Sequence, residues 1–274
     1  MSAFAPVPSL EALMAAVDSV KAGADAYVTN LFLDPAKARE WIARGDLACL
    51  GTGGCALFLR KDRWFRHLHF CAADEAALAG SLGHLEGEGL LTLDLLGRAD
   101  RVEEMSRWFQ AAGFRTYSRL TRLARIQAKG APPPPAPPAE TEPAVAADVD
   151  ALLRNLEASF DPLKEHLPSR EDLDLAVAAG RVRVVRGGAG IAGFLYSDTL
   201  GASSTLRYWL VGPGHRDQGI GARLIRDYFH RSPAVTRFLL WVLDSNADAI
   251  AKYGHYGYAP DGLVDRVMIR EVQP

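Results

Sequence analysis

The stretch Val211–Leu224, VGPGHRDQGIGARL, decides how the rest of this 274-residue chain is read. Leu206–Leu210, LRYWL, leads into it as a strand, and beyond it Leu224, Ile225, Tyr228 and Phe229 recur at helical spacing. A strand, a glycine-rich turn and a helix therefore follow one another directly. At such a junction the first backbone N–H groups of the helix have no intrahelical acceptor and sit at the positive end of its dipole. The place suits an anion, and a phosphate in particular. Glycines at 219 and 221 let the backbone come close to it.

The surrounding composition is that of an ordinary globular chain. With 49% hydrophobic and 23% charged residues, the sequence can bury the core of one large domain or two small ones. A net charge of −2 creates no field that would draw in nucleic acid or an anionic membrane. Cys49, Cys55 and Cys71 are odd in number and include no CxxC pair, so they read as reduced core thiols and no metal is expected. The opening MSAFAPVPSL has no basic segment followed by an apolar run, and no later stretch reaches membrane-spanning length. A cytoplasmic location is the expectation.

Taken in order, the periodicities alternate between helix and strand. Helices are expected over Ser9–Leu33 and Pro35–Ala43, then short strands over Leu47–Leu50, Cys55–Arg60 and Phe65–Cys71 with a hairpin at Gly51–Gly54. A helix at Glu75–Leu85, a strand at Leu90–Leu96, a helix at Val102–Ala112 and a strand at Thr116–Arg125 follow. Ala131–Pro143 is crowded with proline, which cannot donate to a sheet ladder, so it reads as a linker with polyproline II character. Beyond it the order resumes: helices at Asp148–Phe160 and Arg170–Ala179, strands at Val182–Arg186, Ile191–Asp198 and Leu206–Val211, the helix after Gly219, a strand at Phe238–Leu243, a helix at Ala247–Tyr253 and a last stretch at Leu263–Glu271. Strand, helix and Gly-aromatic occur twice, ending at Gly113-Phe114 and at Gly257-Tyr258. That repetition argues for an internal duplication of about 130 residues.

Arg216-Asp217-Gln218-Gly219-Ile220-Gly221 fits Q/R-x-x-G-x-G/A, with Val211 and Pro213 before it at V-x-P spacing. Asn246, Ala249, Tyr253 and Gly257-Tyr258 fit N-x-x-A-x-x-x-Y-x-x-x-G-F/Y. Together these segments resemble the two motifs of the GNAT family of N-acetyltransferases, over about Val145–Glu271. The resemblance implies an α/β fold with a mixed sheet, in two tandem GNAT-like domains: 1–127, a linker at 128–143, and 144–274. It implies acetyl-CoA as acyl donor, without a metal, and direct transfer to a primary amine in a ternary complex. Two alternatives stay open: a non-catalytic acyl-CoA-binding sensor, and an acyltransferase using a longer acyl-CoA or an acyl-carrier protein.

On this resemblance the donor is held by Trp209, Leu210, Val211, Arg216, Asp217, Gln218, Gly219, Ile220, Gly221, Ala222, Asn246 and Tyr253. Strand Leu206–Val211 is expected to splay from Phe238–Leu243, freeing backbone groups for pantetheine and the thioester carbonyl. Tyr253 is the expected general acid for the departing thiolate, its alternative being an aromatic packed on the sheet. Asn246 is a helix cap, a ligand, or both. Glu165, His166, Arg207 and Asp244 are the candidates on the acceptor side, with Asp198 a further candidate base, and the family's acceptor pocket corresponds to the loop Phe160–Ser169. The acceptor is a small-molecule or protein amine; neither nucleic acid nor membrane is expected, and a homodimer is left open.

The first half lacks these features. After Phe65–Cys71 the chain reads AADEAALAGSLGHL, with Asp74 and Glu75 where a phosphate would have to bind, and Phe109 stands at the place of Tyr253. The first domain is therefore expected to have lost its donor site. His67 and His69 share a strand face without a matching third ligand.

Overall fold

The computed structural model describes residues 4–32, 34–130, 132, 135, 141–188 and 190–271. The chain forms two compact units, Met1–Leu120 with Leu263–Pro274, and Thr121–Gly262. In order, the first half carries β1 (Ala5–Pro6), α1 (Leu10–Ala22), β2 (Val28–Thr29), α2 (Pro35–Arg44), β3 (Leu47–Thr52), β4 (Cys55–Asp62), β5 (Phe65–Ala72), α3 (Glu75–Leu82), β6 (Leu91–Arg98), α4 (Ala99–Ala111) and β7 (Arg115–Ile126). The second carries β8 (Glu142–Pro143), α5 (Val149–Ser159), α6 (Pro162–Glu165), α7 (Arg170–Ala178), β9 (Val182–Gly187), β10 (Gly190–Leu200), β11 (Ser203–Val211), α8 (Ile220–His230), β12 (Arg237–Leu243), α9 (Ala247–His255) and β13 (Ala259–Arg270). Among the described residues, no helix is long and apolar enough to cross a membrane.

The first unit is a mixed sheet in the order β1-β3-β4-β5-β6-β13, with β2 added beside β5. Gly53 and Gly54 make the two-residue turn that sets Thr52 opposite Cys55. Leu57, Leu68, Phe70, Leu93, Phe109 and Met268 fill one face under α3 and α4, and Leu13, Val17, Leu47 and Phe58 the other under α1 and α2. Cys55 and Cys71 are buried in these layers as free thiols.

The second unit follows β7-β12-β11-β10-β9-β8. Leu224, Ile225, Tyr228 and Phe229 of α8 pack on Leu195, Leu206, Phe238 and Leu240. Leu152 and Leu156 of α5 and Leu173 and Ala176 of α7 cover the other face with Phe194 and Tyr208. Each such apolar side chain contributes about 1.5–3 kcal/mol by leaving water. Inside the second unit Asp227 of α8 is almost fully buried, and Arg183 of β9 neutralises it at 3.1 Å.

The sequence reading put the division in the proline-rich linker, with the second domain at 144–274. The compact units divide elsewhere, at Leu120/Thr121 and at Gly262/Leu263. The cause is that β7 and β13 each begin in one unit and end in the other. Leu263–Arg270 joins the first unit by antiparallel pairing with β6, from Leu263 opposite Arg98 to Arg270 opposite Leu91. Thr121–Ile126 joins the second beside β12, where Leu123 enters the core and Arg125 lies 4.1 Å from the Phe229 ring centre. Most of the linker, with residues 131, 133–134 and 136–140, lies outside the described residues.

The expected helix Ser9–Leu33 is corrected. Ser9 caps α1 at 3.2 Å, but the helix stops at Ala22, where Gly23 turns its N–H back to Val20 and Lys21. Past it the apolar period is lost, and Val28–Thr29 extends antiparallel to β5, opposite Ala72 and Cys71. The two halves nevertheless repeat one device. Phe114 N–H reaches Phe109 O at 3.0 Å over Gly113, and Tyr258 N–H reaches Tyr253 O at 3.1 Å over Gly257, both glycines at positive φ.

Candidate functional site

Among the described residues β11 and β12 run parallel for three pairs, Ser203–Arg237, Ser204–Phe238 and Thr205–Leu239, and from Leu206 to Val211 the strand pairs with β10 alone. A bulge marks the parting point: Tyr196 faces Tyr208 and Ser197 faces Leu206, so Arg207 is the extra residue. An extra residue bends the strand and raises its twist, which carries β11 away from β12. The bulge also reverses the alternation. Leu206 packs under α8 and Tyr208 packs under α5, although they are two residues apart.

The turn after β11 delivers the chain to α8. Asp217 and Gly219 take left-handed φ values of 62° and 73°, the second at the capping position of α8. No side chain caps α8, and its first turn holds no acidic residue. Ser9, Asp34, Asp74, Asp161, Ser169 and Asn246, by contrast, cap α1, α2, α3, α6, α7 and α9 with their side chains, while α4 and α5, also without a side-chain cap, carry Asp100 and Asp150 in their first turns. The N–H groups at Ile220, Gly221 and Ala222 therefore stay available at the positive helix end. Gln218 donates to Gly214 O at 3.3 Å, bracing the turn. Arg216 is exposed and makes no hydrogen bond or ion pair among the described residues.

Two further glycines let these parts come together. A Cβ on Gly193 of β10 would sit 2.9 Å from Ile220 Cγ2 and 2.9 Å from Leu210 O, so only glycine allows α8 to start against the sheet. A Cβ on Gly221 would press on the Trp209 ring at 3.2 Å. Trp209 lies 5.7 Å from Tyr253 and 5.8 Å from Tyr256, ring centre to ring centre, and its buried indole N–H has no hydrogen-bond partner among the described residues. Burial pushes the Tyr253 phenol up to about 12. It is therefore protonated at neutral pH. Asn246 starts α9 and accepts from Ala249 N–H at 3.1 Å, so its capping role is observed.

The four acceptor-side candidates fall into different settings. Glu165 and His166 end α6 inside the loop, and Tyr208 of β11 donates its hydroxyl to Glu165 O at 2.9 Å and to His166 O at 2.8 Å. The Glu165 carboxylate accepts the Asp161 N–H at 2.7 Å; burial pushes its pKa up against that bond. Arg207 is exposed on the bulge with Nε 3.9 Å from Asp198, which Arg181 also holds at 2.8 Å. Asp244, just past β12, accepts from Thr121 at 2.6 Å. The structure thus gathers Trp209, Gly221 and Tyr253, ties Glu165 and His166 to β11, and engages Arg207 and Asp244 in separate polar contacts.

Sequence reasoning missed Gly193 and Tyr208. A glycine inside a strand pattern, GFLY, was a legible sign of close backbone approach. Nothing local marked Tyr208, whose partners are more than forty residues away.

In the first unit a strand pair parts in a similar way, and the chain's own side chains span it. β5 and β6 also run parallel only briefly, with Arg66–Leu91 and His67–Thr92 as pairs. Asn30, almost fully buried, spans the opening beyond: its amide donates to Leu68 O at 3.0 Å and Asp94 O at 3.1 Å and accepts from Phe70 N–H at 2.8 Å. Thr29 donates to Phe70 O at 2.5 Å. Asp74 caps α3 through Ala77 N–H at 2.8 Å. His67 of β5 lies 3.4 Å from Asp62 and stacks at 6.3 Å on His69.

The model of the Acetyltransferase (GNAT) family matches residues 150–258. No curated protein matches the chain. Among solved structures, a GCN5-related N-acetyltransferase from Sphaerobacter thermophilus aligns at 17% identity and TM-score 0.57, covering 83% of this chain and 80% of that one. A tandem GNAT protein of the clavulanic acid biosynthesis pathway aligns at 14% identity and TM-score 0.56, covering 83% of each. A GNAT-family acetyltransferase from Colwellia psychrerythraea aligns at 11% identity and TM-score 0.55, covering 99% of this chain and all of that one. The chain has the GNAT acetyltransferase fold.

Proposed function

We propose that the protein is a GNAT-type acyltransferase that moves an acetyl group from acetyl-CoA to a primary amine by direct transfer in a ternary complex. On this reading the second unit holds the donor, and the first is a GNAT-like unit that has lost its donor site. The observation that carries it is the uncapped, acid-free start of α8, opening beside a strand end that has left its neighbour.

These residues fit a pyrophosphate and a pantetheine arm. Gly219 and Gly221 put no side chain in the way, and the N–H groups of Ile220, Gly221 and Ala222 would bind phosphate oxygens. Asp217, at positive φ, shapes the turn, and Arg216 would add a charge-assisted bond. The backbone of Trp209, Leu210 and Val211, unpaired toward β12, would hold amides of the arm and polarise the reacting carbonyl. Bound acetyl-CoA supplies a thioester whose carbonyl carbon accepts the amine nitrogen and whose sulfur leaves. Tyr253 would give its phenolic proton to the leaving sulfur. Its raised pKa opposes that transfer, but the dry surroundings penalise a thiolate as well, and positioning provides the remainder. The amine's proton would pass to a water or carboxylate on the side of the Phe160–Ser169 loop.

Calorimetry of the full chain with acetyl-CoA, followed by mass spectrometry of products from a pooled amine library, tests the proposal. Saturable binding and an acetylated product are expected. No binding sinks the donor reading, and binding without transfer across the panel leaves a sensor in its place.

A further inference from the structure

We infer that Tyr208 is a positioning residue: by holding the loop Phe160–Ser169 onto β11, it couples the acceptor side of the site to the strand that holds the donor. The inference rests on the donor reading above.

Tyr208 immediately precedes Trp209, and its one hydroxyl proton faces two consecutive carbonyls, Glu165 O at 2.9 Å and His166 O at 2.8 Å. Its ring is only 4% exposed and meets Phe160, at the start of the loop, edge to face at 5.2 Å. One side chain thus touches the loop at its entry and at its centre. The loop needs such a tie. α6 is a single turn, too short to persist by itself, and it ends on His166 in the left-handed region at φ 42°, ψ 57°. A non-glycine residue stays there only when its surroundings over-determine it.

The bulge at Arg207 makes the contact available. Unbroken alternation from Leu206 would turn Tyr208 toward α8; the extra residue turns it toward α5 and the loop. The same bulge begins the separation of β11 from β12, so one irregularity both opens the donor strand and aims the tie. Burial pushes the Tyr208 phenol up to about 12, which leaves it a donor across the neutral range. Asp161 braces the loop from within through Leu163 N–H at 3.0 Å, and Glu165 does so through Asp161 N–H. Glu165 and His166 therefore keep their places as a unit that follows β11.

Tyr208→Phe removes the hydroxyl and keeps the ring. In the full-length protein, hydrogen exchange of peptides covering 160–169 should quicken by about tenfold or more, with α9 peptides unchanged. Acetyl-CoA affinity by calorimetry should stay within about twofold, while KM for an amine found in the panel rises about tenfold and kcat changes by less than about threefold. Unchanged exchange in 160–169 overturns the inference, as does a fall in kcat at constant amine KM. If the wild type binds no acetyl-CoA, the donor reading has failed, and the exchange measurement still decides whether Tyr208 ties the loop.

Discussion

In the first unit β5 runs into α3 through Asp74, whose carboxylate caps the helix; in the second β11 runs into α8 through Gly219, which has no side chain to cap it. Both parallel strand pairs part after a few residues, yet Asn30 and Thr29 fill the first opening while, among the described residues, β11 from Leu206 onward has no partner on the β12 side. Phe109 is fully buried among Phe70 and Phe114, whereas Tyr253 keeps a phenol against Trp209. The same fold device is satisfied internally in one unit and left unsatisfied in the other. Helix-end N–H groups and strand backbone left without a protein partner must be satisfied by water or by a ligand, so they are the groups a binding site can use. A structural unit is expected to close such sites, and a binding unit to leave them open.

The comparison breaks most sharply at Gly219. Gly219→Glu forces a side chain onto φ 73° and adds a carboxylate at the positive end of α8. Acetyl-CoA affinity should fall at least about 100-fold by calorimetry. Unchanged affinity would remove α8 from the donor site.

Tyr253→Phe makes the second unit resemble the first at the phenol. We expect kcat to fall by about 100-fold and donor affinity to stay within about twofold. Equal turnover would leave Tyr253 as a packing residue.

Asn30→Ala strips the first unit of three hydrogen bonds, two of them buried, and leaves Leu68 O, Asp94 O and Phe70 N–H without that partner. Urea unfolding should show a loss of about 2–3 kcal/mol. Acetyl-CoA should still bind at a single site; a second site appearing in this variant would show that the opening is only blocked, not lost.

The smallest effect belongs to Asp74→Ala, which removes a cap worth about 1 kcal/mol and should create no acetyl-CoA binding. A larger loss would mean that Asp74 does more than close α3.

Much of the second unit was legible in the chain. The apolar period of Leu224, Ile225, Tyr228 and Phe229 matched the buried face of α8, and the glycines at 219 and 221 marked its entry. In the first half, Asp74 caps α3 and Phe109 is a fully buried core residue. The Ser9–Leu33 helix failed because no local pattern says that Thr29 and Asn30 will bond to β5 and β6, up to sixty-four residues away. Asn246 makes the contact of a helix cap, and Arg207, an acceptor-side candidate, makes that of an exposed ion pair.

By itself the sequence determined most of the longer elements, their polar and apolar faces, and the glycine-rich, acid-free start of α8. These depend on sterics and hydrogen bonds within a few residues. Only the tertiary structure decided that Leu263–Arg270 pairs with β6, that a bulge at Arg207 turns Tyr208 toward the loop, and that one strand opening is filled while the other is not. Strand partners and register are chosen by burial across long separations, and repeated strands of similar pattern can satisfy more than one sheet.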